Sequence, residues 1–175
     1  MYNSKENQYL AVETSSLNIN TIAEQFTNPD FKKQILNSNI ILLPYIGFMD
    51  YEQLLFTDLT RELYRYLKTQ QSDSIIVEVA YEGDQPNELI QHADFLDLGK
   101  IFIFSFIAPI ALSLLSNFIY DKINNSSKCL DNSIVRCEII VNKQEDNSKV
   151  FKYDGPASSF EKLLESQILS DFDKI

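Results

Sequence analysis

A chain of 175 residues, 45% hydrophobic and 23% charged, is long and apolar enough to bury a core as one domain, which excludes a disordered tail. Its 25 acidic against 15 basic residues give a formal charge of −10, which repels nucleic-acid backbones and anionic lipid at long range. Two cysteines, Cys129 and Cys137, make neither a disulfide scaffold nor a complete metal site; with no apolar run of signal-peptide length in residues 1–13, a cytoplasmic protein with reduced thiols is expected.

Residues 1–16 are polar and irregular and read as a flexible lead, with a short strand compatible with residues 9–13; residues 17–175 are expected to form a single α/β domain. Ile19, Ile22, Ala23 and Phe26 stand at helical spacing, and Pro29 restarts the chain as a second short helix over residues 31–36. Ile40, Ile41, Leu42 and Leu43 make an apolar run short enough for a buried strand, broken at Gly47. Asp50 then suits the N-cap of a helix over residues 51–69, in which Leu55, Leu59, Leu63 and Leu67 recur every four residues. Arg61, Arg65 and Lys68 cluster on that helix, but Asp58 and Glu62 sit among them, the pattern of a solvated face rather than a docking surface. Residues 74–81 alternate Ile75, Val77, Val79 and Tyr81 against Ile76, Glu78 and Ala80, as a half-buried strand does, and Glu82, Gly83, Asp84 and Pro86 make a turn. Residues 87–98 carry no clear period.

Residues 101–120, IFIFSFIAPIALSLLSNFIY, contain no charged side chain over twenty positions. By length the segment could cross a bilayer. Against that, Ser105, Pro109, Ser113, Ser116 and Asn117 interrupt it, and single lysines, Lys100 and Lys122, flank both ends, so no charge asymmetry marks an inside. A long uncharged helix at 100–121, buried by protein, is the preferred reading. Phe102, Phe106, Ile110, Leu114 and Phe118 are then expected to contact sheet or helix side chains, with a kink at Pro109.

Residues 133–143 read as a strand with Val135, Cys137, Ile139 and Val141 on one face and Arg136, Glu138 and Asn142 on the other, and residues 149–153 return as the second strand of a hairpin. Ser158 and Glu161 have capping-box spacing, ahead of an apolar stripe of Phe160, Leu163, Leu164, Ile168 and Phe172. The expected fold class is α+β, a small mixed or antiparallel sheet of split βαβ type covered by helices. In that fold Val135, Ile139 and Val141 pack against helices, and the last helix buries Leu164 and Ile168.

His92, the one histidine, forms a short H-x-D-x-x-D pattern with Asp94 and Asp97; its readings are a polar surface turn, a ligand contact or a metal site, and the ligand number favours the turn. A dyad of His92 with Cys137 requires the fold to join them, and Cys137 lies on the apolar side of its strand, where a buried structural thiol is expected. Glu78, Glu82 and Asp84 lie at a strand end, where α/β proteins place ligands and carboxylates bind divalent cations, but their composition is also that of an ordinary turn. The four glycines, Gly47, Gly83, Gly99 and Gly155, are isolated, so there is no phosphate loop; no nucleophile elbow or H-E-x-x-H helix occurs either. A non-enzymatic protein without cofactor or metal is expected.

From Asp94 onward, the run DLGKIFIFSFIAPIALSLLSNFIYDKI, the strands SIVRCEIIV and KVFKY and the helix SSFEKLLESQIL resemble the effector-associated constant components of bacterial conflict systems. The resemblance covers about half of the chain and is architectural; Asp121, Lys122, Ile123 and Asn124 stand where that family carries Arg-rich positions. It implies an accessory module that works beside an effector or protease and has no catalytic residues of its own. The function expected is an adaptor binding a partner protein (effector, protease or toxin) in bacterial defence or toxin control. A membrane-attached component using residues 101–120, at the inner membrane, and an acidic immunity protein capping a basic toxin are the alternatives. The oligomeric state stays open.

Overall fold

In a central strand both faces are buried, so its residues are apolar without alternation, and the chain supplies two such runs, Ile40–Leu43 and the end of Phe95–Phe104. The computed structural model of the chain describes residues 8–46, 54–83, 86–89, 95–126, 132–144 and 147–172. In chain order the elements are β1 Leu10–Ser15, α1 Ile19–Ala23, α2 Pro29–Leu36, β2 Ile40–Leu43, β3 Leu55–Thr57, α3 Thr60–Thr69, β4 Val77–Val79, β5 Asn87–Leu89, β6 Phe95–Phe104, α4 Ala108–Asn124, β7 Ile134–Gln144, β8 Asn147–Pro156 and α5 Phe160–Phe172. The fold class is α+β. A mixed six-stranded sheet runs β1-β8-β7-β6-β2-β4, and β3 with β5 forms a small parallel sheet beside it. Both crossovers, β2 to β4 past α3 and β6 to β7 past α4, join neighbouring parallel strands, whereas β7–β8, β8–β1 and β2–β6 are antiparallel.

Alternation along the strands divides the core. Ile40, Leu42, Ile101, Ile103, Val135, Cys137, Ile139, Val141, Phe151 and Tyr153 face α3, α4 and α5, where Val135, Ile139 and Val141 pack as expected and Leu164 and Ile168 are buried. Ile41, Leu43, Phe102 and Ile140 face the other way, under α1 and α2. Those two short helices cover only part of that face. On the rest, Lys152 pairs with Glu13 at 3.0 Å, Lys100 with Glu138 at 3.9 Å and Arg136 with Asp154 at 2.9 Å. These are surface pairs that keep the uncovered half wet.

Three expected boundaries move, each for a physical reason. Residues 10–15, expected within the flexible lead, form β1, because β8 offers them a full antiparallel partner in register Leu10 to Tyr153. The helix expected over 51–69 starts only at Thr60: Leu55, Phe56 and Thr57 are all buried as β3, so their four-residue spacing with Leu59 belongs to two elements; residues 50–53 lie outside the described residues. The long helix begins later than 100. Residues 101–104 complete β6, antiparallel to β2 and parallel to β7, and a 3-10 turn Ser105–Ile107 leads into α4, with Pro109 in the first helical turn, where its missing N–H costs nothing. Pro109 therefore marks a helix start rather than a kink. A 3-10 turn, Ala157–Ser159, also leads into α5, and no side-chain cap closes that turn.

Candidate functional site

Two depressions among the described residues stand out for their apolar walls. The first, about 280 Å³, lies between α3 and the strands β4 and β5, against Phe56, Val79, Tyr81 and Pro86. Parallel pairing of β2 with β4 ends there, and the first turn of α3 brings in Thr60 and Arg61. The polar side chains of this cleft are tied to one another. Arg61 Nη2 lies 2.9 Å from Glu88 Oε1, the Tyr64 hydroxyl donates to Glu78 Oε1 at 3.1 Å, the Val79 amide donates to the same oxygen at 3.1 Å, and Lys68 Nζ lies 3.8 Å from Glu78 Oε2. Burial, then the Glu78 charge, pushes the Tyr64 hydroxyl well above the usual tyrosine range, so it stays a donor. Glu78 thus stitches α3 to β4. Glu82 is exposed, Asp84 lies outside the described residues, and among the described residues no three His, Cys, Asp or Glu are placed to hold a metal ion.

His92 and Asp94 also lie outside the described residues, but Asp97 lies within them and is structural. A bulge interrupts the β6–β7 register between Asp97 and Lys100, and Gly99 takes φ +76, a left-handed conformation that favours glycine. Asp97 Oδ1 accepts from the Gly99 amide at 2.9 Å and from the Tyr45 hydroxyl at 3.2 Å, while the Asp97 carbonyl accepts from Thr57 Oγ1 at 2.9 Å. The buried carboxylate therefore pins the bulge to Tyr45, and the Asp97 carbonyl ties it to β3.

Cys137 is buried on the α4 side of β7, as expected; Cys129 lies outside the described residues. Burial, then the charges of Asp97 and Glu138, pushes the Cys137 thiol well above the usual cysteine range, and burial likewise raises the Tyr45 and Tyr153 hydroxyls above the usual tyrosine range. Each group is held protonated in the fold and ionises more easily unfolded. Its contribution is complete below the unfolded pKa and is lost as pH rises toward the folded value, at about 1.4 kcal/mol per pH unit for a fully buried group. Stability should thus fall from about pH 9 upward in urea titrations. Cys137→Ala should lower stability at pH 7 through its cavity but flatten that alkaline slope; an unchanged slope would remove the thiol from the account.

The second depression, about 170 Å³, is a groove between the start of α4 and the end of α5, lined by Ser105, Phe106, Ala108, Pro109, Leu112, Glu165, Ile168 and Leu169. Around it three large apolar side chains stand in solvent: Phe106 is 72% exposed, Ile110 49% and Leu169 46%. Phe106 stacks on Phe104 with ring centroids 5.6 Å apart, so it rests on an aromatic ledge. The expectation that Phe106 and Ile110 lie in the core is corrected here; Phe102 and Phe118 are buried and Leu114 is partly buried. The phase of α4 explains the difference. Ser113, Asn117, Asp121 and Asn124 form its outward face, and stepping back from Ser113 by three and then four positions reaches Ile110 and Phe106. Polar residues at that spacing were the signal for this surface.

The whole stretch Ser105–Asn124 is long and apolar enough to cross a membrane by length and composition, and half of its most apolar window is buried inside the protein. Comparison with protein-family models, with curated proteins and with solved structures finds no significant match to this chain.

Proposed function

We propose that the chain is a non-enzymatic accessory protein that binds a partner protein by seating an apolar side chain of the partner in the groove between α4 and α5. The observation that carries this reading is Phe106, an aromatic side chain 72% exposed, held on Phe104 and flanked by Ile110 and Leu169. Aromatic anchors of this kind dominate binding energy at interfaces. Glu165 in the groove wall and the formal charge of −10 favour a partner segment that carries Lys or Arg beside its apolar anchor. The resemblance to effector-associated components supports an effector, protease or toxin as that partner.

The test is the affinity of the purified full chain for the protein that co-purifies with it from its host. Phe106→Asp should weaken binding by about thirtyfold or more, the effect of losing a hot spot of 2 kcal/mol, with an unchanged urea midpoint. Equal binding by the variant sinks the groove. Moderate sensitivity to salt is expected, since the anchor is apolar; loss of binding in high salt with Phe106 dispensable would favour the acidic immunity reading. Recovery only with detergent-extracted membrane would favour the membrane reading.

A further inference from the structure

We propose that two copies of this chain pair through β1, in antiparallel register about Val12, so that the two sheets join into one. The outer edge of β1 belongs to no sheet partner among the described residues, since β1 ends the strand order. The Asp154 amide donates to the Tyr9 carbonyl at 2.9 Å, and Tyr9 stands opposite Asp154 when the register Leu10 to Tyr153 is extended by one residue. Hydrogen-bonded pairs alternate along an antiparallel ladder, so Ala11, Glu13 and Ser15 point their backbone groups at β8, and Leu10, Val12 and Thr14 point theirs outward.

Exposed edges are ordinarily blunted by shortness, proline, lysine or a bulge. The opposite edge, β4, follows that rule with three residues, Val77–Val79. By contrast β1 spans six residues, LAVETS, without Pro, Lys or bulge, and its one charge, Glu13, is neutralised by Lys152 at 3.0 Å. The edge is also self-complementary. Residues opposite each other in an antiparallel pair share a face, so only registers that match odd with odd and even with even keep the two apolar faces together. Centring on Glu13 sets like charges against each other. Centring on Val12 sets Val12 against Val12, Leu10 against Thr14 and Glu13 against Ala11, with about six new backbone hydrogen bonds. Val12, 39% exposed beside the partly buried Leu10, then extends the apolar face that packs on α5.

Sedimentation of the full chain over a concentration series should show a dimer, and Val12→Pro should return the monomer, because it removes an outward N–H that β8 does not use. In a Cys129→Ser background, Val12→Cys should oxidise to a covalent dimer and Glu13→Cys should not. A monomer at every concentration, a dimer that survives Val12→Pro, or cross-linking at 13 in preference to 12 each overturns the proposal. Failure here leaves the groove between α4 and α5 untouched, because Phe106→Asp and Val12→Pro act on different elements.

Discussion

Ala111→Asp is expected to abolish folding, whereas Ser113→Asp and Asn117→Asp, two and six residues further along the same helix, should each shift stability by less than about 0.5 kcal/mol. Ala111 is 1% exposed and faces the sheet with Leu112 and Leu115, while Ser113 and Asn117 are exposed. An unpaired carboxylate at 111 meets no cation and no water, and its desolvation costs several kcal/mol, comparable with the whole stability of a domain this size. Far-UV circular dichroism and the yield of soluble protein read the first outcome, and urea midpoints the other two. The contrast between the positions also tests the surroundings of α4. A helix surrounded by lipid would resist a charge at all three positions, at roughly 2.5–3.5 kcal/mol each near the bilayer centre. Equal intolerance at 111, 113 and 117 would therefore count against a helix packed on its own sheet, and equal tolerance would remove Ala111 from the core.

The physical basis for that contrast was partly legible in the sequence. Period-two alternation in residues 134–144 correctly separated Val135, Cys137, Ile139 and Val141 from Arg136 and Glu138, since a hairpin with one helix-covered face imposes that pattern directly. The run Ile40–Leu43 was legible as a strand because four residues are too few for a helix that could bury anything. Residues 101–120 were harder. A strand buried on both faces and a helix buried on most of its surface are both continuously apolar, so the junction at Ser105 is invisible to hydropathy, and Pro109 fits a helix start as well as a kink. The same ambiguity affected Leu55: leucines four apart suggest a helix, yet the β3–β5 pairing, which no local pattern announces, takes residues 55–57 into a strand. Edge strand β1 is nearly silent, because none of its residues is fully buried and LAVETS carries no strong alternation. The groove was missed for a related reason. Phe106 and Ile110 look like core residues in the sequence because they are apolar, although the phase of Ser113, Asn117 and Asp121 places them outward.

Asp97→Ala is expected to destabilise the protein by about 2–4 kcal/mol, a large effect for a residue that touches neither depression. The side chain is 8% exposed, and its Oδ1 is the acceptor for the Gly99 amide and the Tyr45 hydroxyl. Truncation removes that acceptor from a strand buried on both faces, at the point where β6 and β7 lose register. Two further variants separate hydrogen bonding from backbone strain. Asp97→Asn keeps an oxygen for Gly99 and should cost only about 1 kcal/mol. Gly99→Ala should also cost about 1 kcal/mol: the added methyl meets Thr60 and Thr57 no closer than 3.6 Å, so only the left-handed φ of +76 opposes it. For a chain of this length each kcal/mol moves the thermal midpoint by about 2–4 °C, so the alanine variant should melt roughly 4–16 °C below its parent and the other two only slightly below. Because the Asp97 charge, after burial, helps hold the Tyr45 hydroxyl protonated, Asp97→Asn should also let Tyr45 ionise at lower pH, visible as tyrosinate absorbance. If Asp97→Ala melts with the parent, the β6 bulge is held by its flanking ladder alone, and Asp97 has no structural role at that bend.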